Sequence, residues 1–596
     1  MKDKTIIRDR IALLRSSLLS SGLDALIVPQ ADPHGSEYIA RRWQARRWLS
    51  GFTGSAGDLV VTLADAALWA DSRYWLQAGQ QLEDTGIGVV EEGKPDAPSI
   101  VDWLAAHLPQ GAKVGYDSAL ISVDKAKSFG EKLSARGLEL VLVDDPLGDV
   151  WKERPALPQS PVLIHPECYA GESVDSKIAS VRRYAADHGA SAVLLVDLAQ
   201  IAWTLNLRGT DINCNPVVIS YLFVDNRCAV WFVDPAKLTP EVDEYLREHF
   251  IDVLPYDAVA DFLDGLAESV LVNSAQVPAK LASHISSCVE SNDFFLAVLK
   301  ACRNKDQIEG TRTAMLQDGV AMVNAFFELD RRMAAGERVT EIGVAELLEA
   351  ERSKQPGYLC LSFESIVGYA EHGAIVHYTA TAESDVVLSP DNLLLVDSGA
   401  TYLCGTTDIT RTFSLGNPTV EQKTDFTLVL KGMIDLARAV FPVGTRGAQL
   451  DVLARAEMWR HGAAYLHGTG HGVGHCLNVH EGPQSIRMQE NPVELRPGML
   501  TSDEPGIYRA GKYGIRCENL ILCVPAFTTD MGEFLKFETM TLYPFDTTLV
   551  EASMLDRAEI EWFNGYQTRV YELLAPLLDS DEKRVWLENK CKTLDI

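Results

Sequence analysis

Asn392 to Thr412 reads NLLLVDSGATYLCGTTDITRT, in which Leu393 to Val396 form an unbroken apolar run ending on a carboxylate, Asp397. The run reads as a buried strand. Gly399 and Gly405 punctuate the next segment, and a second carboxylate, Asp408, lies in a Thr-rich stretch of strand-forming composition. A hairpin between the two strands brings the acids back toward each other at one end of a sheet, where a buried acid pair needs a cation or shared protons. Taken singly, each aspartate reads as a turn or N-cap residue. Three downstream residues change that balance.

Five of the thirteen histidines fall in HGAAYLHGTGHGVGHCLNVHEGP, His461 to Pro483. Glycines at 468, 470, 472 and 474 disfavour a helix, so His467 and His471 are not a helical metal pair, and Gly468 stands where an HExxH motif needs glutamate. Val473 likewise breaks any GxGxxG pattern. These glycines read as positions where backbone approaches a ligand or metal centre closely, with His461 and His475 as solvated side chains. Further on, LRPGMLTSDEPGIY leads from Met499 to Ser502 into Asp503 and Glu504, and KYGIRCENLILCV sets Glu518 at the start of an apolar strand, with Arg516 alternating onto the same face. Asp397, Asp408, His471, Glu504 and Glu518 thus form a set of four carboxylates and one imidazole at the ends or starts of apolar segments. An oxygen-rich set with one histidine suits Mn²⁺, Mg²⁺ or Fe²⁺ better than structural zinc. Four negative charges match two divalent cations, about 3.5–4 Å apart in sites that activate a hydroxide between them.

The remaining chain constrains the setting of this cluster. At 596 residues it exceeds one ordinary core, and roughly three to four domains are expected. No apolar run is long enough for a transmembrane span. The start, MKDKTIIRDRIALLRSSLLSSG, keeps charges inside its apolar stretch, unlike a secretory signal. Eleven scattered cysteines without a CxxC pair suit reduced thiols, so a cytoplasmic location is expected. A net charge of −29 disfavours nonspecific contact with phosphate backbones, and nucleic acid and membrane are both excluded as expected partners.

Ile6 to Leu19 carries apolar positions at helical spacing, then Gly22 and the strand-like LDALIVP. The order recurs with the helix SVDSKIASVRRYAADHG, Ser173 to Gly189, and the strand ASAVLLVD, Ala190 to Asp197. Trp-bearing segments follow each strand, Trp48 to Gly57 and Trp203 to Gly209, which points to a duplicated α/β domain. ERPALPQSP, Glu153 to Pro161, reads as the linker between the copies. A long helix is expected from Lys305 to Leu329 and another from Glu421 to Val440. GERVTEIGVAELLE (Gly336 to Glu349) and GTRGAQLDVLARAE (Gly444 to Glu457) align with each other, so the last domain is read as internally duplicated too, with a site where its halves meet. Thr547 to Ile596 reads as a helical tail packed on that domain or on a partner subunit.

The motifs VDSGATYLCGTTDITRT, HGTGHGVG, NVHEGP, DEPGIY and GIRCEN resemble the catalytic domain of the aminopeptidase P group, the Xaa-Pro aminopeptidases of the pita-bread metallopeptidases. WADSRYWLQA, LNLRGTDINCNPV and RNKDQIEG are similar to the front of its long, three-domain cytosolic form, so the resemblance spans nearly the whole chain. It implies an α/β and α+β architecture: creatinase-like α/β domains at residues 1–155 and 156–302, then a pita-bread domain with internal pseudo-twofold duplication at 303–596, ending in a helical extension from about 547. It also implies that two divalent ions, with Mn²⁺ favoured, are held by Asp397 on one side, His471 and Glu504 on the other, and Asp408 and Glu518 across both. Glu504 handles the proton of a bridging hydroxide; His377 and His480 stabilise the tetrahedral intermediate or protonate the leaving proline nitrogen; His467 contacts substrate and Phe363 lines the pocket for the N-terminal side chain. The implied substrates are peptides beginning Xaa-Pro, and the implied assembly is a homodimer, for which Trp562, Tyr566, Val570, Leu573 and Leu574 offer an amphipathic face.

Creatinase shares the fold without this ligand set, and histone chaperones that keep a degenerate pita-bread domain are expected to have lost ligands. Prolidase, an X-Pro dipeptidase, is the closer alternative, and Arg516 is a candidate contact for the substrate carboxylate it requires or, alternatively, an orienting group for a metal ligand. Cys404 and Cys517 lie beside ligand segments, where a thiol makes activity sensitive to oxidation or soft metals.

Overall fold

The structure, a computed structural model, describes residues 4–595. By packing, these fall into two units, one comprising residues 4–165, Glu172–Asn213 and Val217–Leu296, the other Pro166–Gly171, Cys214–Pro216 and residues 297–595.

In the first unit the expected repeat is explicit. The helices Lys4–Ser20 and Val174–Asp187 each give way to a glycine with left-handed φ, Gly22 (67°) and Gly189 (70°), which reverses the chain into a strand buried at every position, Ala25–Val28 or Ala192–Leu195. Each strand sits inside a six-stranded sheet. The first has the order Gly88–Glu91, Ala66–Ala70, Asp58–Thr62, Ala25–Val28, Lys113–Asp117, Glu139–Val143; the second has Ile251–Leu254, Ala229–Phe232, Tyr221–Asp225, Ala192–Leu195, Val270–Asn273, Cys288–Ser291. Strand directions match as well: each inner strand runs antiparallel to one neighbour and parallel to the other. Each Trp-bearing segment begins in the last turn of a helix, Ala45–Ser50 or Leu198–Leu205, which ends on left-handed Gly51 or Asn206.

The two copies join through equivalent turns, DSALISV at 117–123 and NSAQVPA at 273–279. Val123 N–H donates to Val277 O and Ala279 N–H to Ile121 O; one residue on, Asp124 N–H donates to Ser274 O and Lys280 N–H to Ser118 O, all at 2.8–3.1 Å. Each bond has its counterpart with the copies exchanged, so the copies meet around a local pseudo-dyad as an isologous dimer does.

The second unit repeats a larger motif. Lys305–Ala334, capped by Asn304 with Gln307 in a reciprocal capping box, packs on Glu341–Arg352; Val420–Ala437, capped by Thr419 with Gln422, packs on Gly447–Arg460. The second long helix stops three residues short of its expected end, and Val440 opens a strand instead. One antiparallel sheet has the order Ile366–Tyr369, Leu393–Ser398, Ile409–Ser414; the other has Val440–Pro442, Gly532–Thr539, Asn519–Thr529, Leu500–Asp503. The two Asp-bearing segments pair as expected, Asp397 opposite Thr410. Their link is not a tight turn, because residues 400–406 form a further hairpin that joins the strand Tyr358–Leu361.

The C-terminal helices Arg557–Leu574 and Asp581–Lys590 settle where the tail packs. Phe563, Tyr566, Val570, Leu574 and Leu587 are buried in the main core of this same unit, and Trp562 packs against it. Most of the apolar face expected to cover a dimer interface is therefore used within the chain; of Trp562, Tyr566, Val570, Leu573 and Leu574, Leu573 alone is exposed. Arg411, fully buried on the strand after Asp408, ties the tail to the centre: it donates to Glu518 O, to Asn519 Oδ1 (2.9 Å) and to the Tyr566 hydroxyl (2.8 Å). No helix among the described residues is long and apolar enough to cross a membrane.

Tyr566→Phe removes one acceptor from a buried guanidinium, so unfolding free energy should fall by about 1–3 kcal/mol in denaturant titration. An unchanged midpoint would contradict the role given to this contact.

Candidate metal centre

The four carboxylates occupy strand ends from both sheets of the second unit. Asp397 is the penultimate residue of Leu393–Ser398, Asp408 immediately precedes Ile409–Ser414, Glu504 immediately follows Leu500–Asp503, and Glu518 immediately precedes Asn519–Thr529. Main-chain bonds fix this point: Glu518 N–H donates to Thr410 O at 3.2 Å, linking the two sheets, and Glu504 N–H to Thr469 O at 2.8 Å, linking the second sheet to the His471 segment. His471 arrives on the short strand Gly470–His471. Its glycine neighbours let backbone pack against the backbone of the metal centre and its surroundings. A Cβ on Gly470 would stand 1.8 Å from Ser502 O, and one on Gly472 2.1 Å from Glu481 O.

One ligand atom each from Asp408, His471 and Glu518 lie within 4.8 Å of one another. His471 Nε2 is 3.5 Å from Asp408 Oδ2 and 3.4 Å from Glu504 Oε1. Its Nδ1 is 2.9 Å from Gly472 O, which accepts a hydrogen bond there, so Nδ1 carries the proton and Nε2 faces the acids. Asp397 accepts from Arg516 Nη2 at 2.6 Å through Oδ2, while its buried Oδ1 has no hydrogen-bond donor. Glu518 Oε2 accepts from the Thr410 hydroxyl at 2.6 Å, and Glu504 Oε1 from Ser502 at 3.1 Å.

Electrostatics point the same way. Burial, reinforced by the neighbouring acids, pushes Asp408 and Glu518 well above the usual carboxylate range and Glu504 up to about 7. Four acids converging in a desolvated site are at odds with one another unless cations join them. A donor set of four carboxylates with one correctly presented imidazole, and an orphaned oxygen on Asp397, fits a pair of divalent ions.

The other expected residues are distributed around this set. The His480 ring centre lies 4.4 Å from that of His471. His377 sits in the turn after Ala370–Ala374, beside Val376, whose carbonyl is 3.5 Å from Arg516 Nη2. His467 Nδ1 is 2.7 Å from Gly468 O and its Nε2 2.9 Å from the Tyr508 hydroxyl. Phe363 is buried in the link before Ile366, the residue paired with Asp397. Arg516 ends the strand Tyr513–Arg516, separate from the one Glu518 precedes, and its guanidinium is committed to Asp397, Thr410 Oγ1 and the Tyr508 hydroxyl. Its hold on Asp397 suits an orienting role for that carboxylate. His475 is buried, with Nε2 3.0 Å from Tyr169 O, rather than solvated; His461 is exposed. Tyr508, which joins His467 to Arg516, went unrecognised in the sequence although it lies within DEPGIY. The signal was there in its position, two residues beyond Gly506 on the strand leaving Glu504.

Residues 309–525 match metallopeptidase family M24, and 533–594 the C-terminal region of that family; residues 10–148 and 153–307 each match the creatinase/prolidase N-terminal domain. The chain is 38% identical to aminopeptidase P2 of Arabidopsis thaliana, covering 99% of this chain and 89% of that one. It is 39% identical to the probable Xaa-Pro aminopeptidase P of Aspergillus niger, with 98% of both chains covered. This chain belongs to the aminopeptidase P family of M24 metallopeptidases. Among solved structures, it superposes on the X-prolyl aminopeptidase of Caenorhabditis elegans, described as a cytosolic enzyme with a di-nuclear active site, with a TM-score of 0.95, 33% identity and full coverage of both chains. The aminopeptidase P likeness thus includes both front sheets as well as the acid cluster.

The thiols beside the cluster are less reactive than their sequence position suggests. Cys404 and Cys517 are buried, and burial raises them to about 11 and about 12 respectively. Iodoacetamide should therefore label the exposed Cys168 and Cys288 of the native protein while peptidase activity persists. Activity lost in step with labelling of Cys404 or Cys517, followed by mass spectrometry, would contradict this.

Proposed function

We propose that this protein is a metal-dependent aminopeptidase that releases the N-terminal residue of peptides with proline in second position. The observation that carries it is the convergence of Asp397, Asp408, His471, Glu504 and Glu518 at the junction of two sheets, in a chain related to Xaa-Pro aminopeptidases over its full length. Asp397 would hold one ion, His471 and Glu504 the other, and Asp408 and Glu518 both. Donor chemistry suits Mn²⁺, Mg²⁺ or Fe²⁺, and family resemblance favours Mn²⁺ among them. Such ions supply Lewis acidity and a nucleophile at neutral pH when bound.

The protein's own groups do the rest. Arg516 and Thr410 fix the orientations of Asp397 and Glu518, and Ser502 that of Glu504. Glu504, half-buried and raised toward neutrality, is suited to take a proton as the peptide carbonyl is attacked and to release it again. His480 and His377 are the donors for charge developing on the carbonyl oxygen or on the proline nitrogen, neither of which can be left bare in a desolvated site. His467, steadied by Tyr508, contacts substrate, and Phe363 lines the pocket for the first side chain.

The division at 1–155, 156–302 and 303–596 and a cytoplasmic location belong to the same proposal; the latter is supported by the scattered cysteines and the cytosolic description of the Caenorhabditis elegans enzyme. A homodimer is proposed on family resemblance. Prolidase activity is disfavoured because Arg516, the candidate for reading a carboxylate on proline, is held by Asp397, Thr410 and Tyr508.

Peptides of the Arg-Pro-Pro type and longer chains should lose only their first residue. Alanine in second position should slow the reaction markedly, and N-terminal acetylation should stop it. Mass spectrometry of products decides; cleavage confined to X-Pro dipeptides would overturn the aminopeptidase reading while leaving the metal centre intact.

A further inference from the structure

Glu341 lies outside every motif that marks the metal centre, yet it is completely buried and gathers three donors. It occupies the first turn of Glu341–Arg352, where the helix N-terminus favours a carboxylate and Thr340 caps the free N–H of Gly343. Its Oε1 accepts from Tyr369 N–H at 2.8 Å and lies 2.9 Å from His372 Nδ1, while its Oε2 accepts from the Tyr378 hydroxyl at 2.9 Å. The His372 and Tyr378 rings stack on each other with centroids 4.5 Å apart.

These donors span one short segment, residues 369–378. His377 is the residue immediately before Tyr378. On its other side the segment is pressed against neighbouring backbone: a Cβ on Gly514 would stand 1.7 Å from Gly373 O, and one on Gly368 2.7 Å from Gly373 Cα. Arg516 Nη2 reaches Val376 O at 3.5 Å. Residues 369, 372, 373, 376 and 378 are thus all anchored, three of them by one carboxylate, and the turn bearing His377 is left little freedom.

We infer that Glu341 is a positioning residue for His377: it fixes the turn from which that imidazole donates, without itself meeting substrate. The inference rests on the role proposed for His377. A carboxylate is required because only it presents two oxygens that accept from a main-chain N–H, an imidazole and a phenol together. A turn displaced by a fraction of an ångström moves the imidazole out of donor range while leaving the metal ligands where they are.

A double-mutant cycle on the metal-loaded protein, with Glu341→Gln and His377→Ala, separates this from a general loss of stability. Glu341→Gln alone should lower kcat by about 10- to 100-fold with KM within about threefold and metal content unchanged. In the His377→Ala background the same change should lower kcat by less than about twofold, because the group it positions is already gone. Equal losses in both backgrounds, or no loss from Glu341→Gln alone, would overturn the inference. Native kcat in His377→Ala would instead overturn the role of His377. If Glu341→Gln does not fold, Tyr378→Phe removes a single donor and should show the same non-additivity with a smaller kcat loss; additivity there overturns the inference equally.

Discussion

Four carboxylates gathered at one point, three of them buried, impose the constraint that shapes most of the second unit. Without counter-charge they repel one another, so the fold must bring them close and also keep each from turning away. Strand ends achieve the approach, because an apolar strand is fixed along its length and its terminal side chain inherits that rigidity. Glycines 470 and 472 let the His471 strand lie against the Glu504 strand and the 481 turn at distances that admit no Cβ. Two buried arginines then set the frame. Arg516 holds one oxygen of Asp397 and leaves the other without a donor, while Arg411 ties the Asp408 strand, the start of the Glu518 strand and the C-terminal helix into one block.

The same constraint accounts for the role of the outer groups. His377 and His480 belong to loops rather than strands, so their positions depend on anchors of other kinds: Glu341 beneath the first, and the closely packed glycine loop for the second. Duplication supplies the scaffold twice over. The helix pair and sheet recur to enclose the centre in the second unit, and in the first unit two copies of one α/β fold are joined by reciprocal main-chain bonds around a pseudo-dyad.

Much of this was legible in the chain. Apolar runs that end on Asp397 or begin after Glu518 announce buried strands, and the Gly22 and Gly189 turns announce the repeated helix-to-strand unit. What the sequence concealed was long-range partnership. Nothing in the local pattern around Glu341 marks it as an anchor for residues 369–378, and nothing near Arg516 distinguishes a hold on Asp397 from a substrate contact. His475 reads as solvated from its glycine surroundings, yet the carbonyl of Tyr169, more than 300 residues earlier, receives it. The amphipathic tail illustrates the same limit: its apolar face calls for a partner, and only the fold shows that the partner is the chain's own core.

The central claim is that five side chains hold two divalent cations on which hydrolysis depends. Metal content per chain, measured by plasma mass spectrometry after Mn²⁺ loading and exhaustive dialysis, tests it most directly. Two ions per wild-type chain are expected, falling in Asp408→Asn and Glu518→Gln together with activity, and chelation should abolish hydrolysis until Mn²⁺ is returned. Full hydrolytic activity in protein carrying fewer than one divalent ion per ten chains would contradict the account.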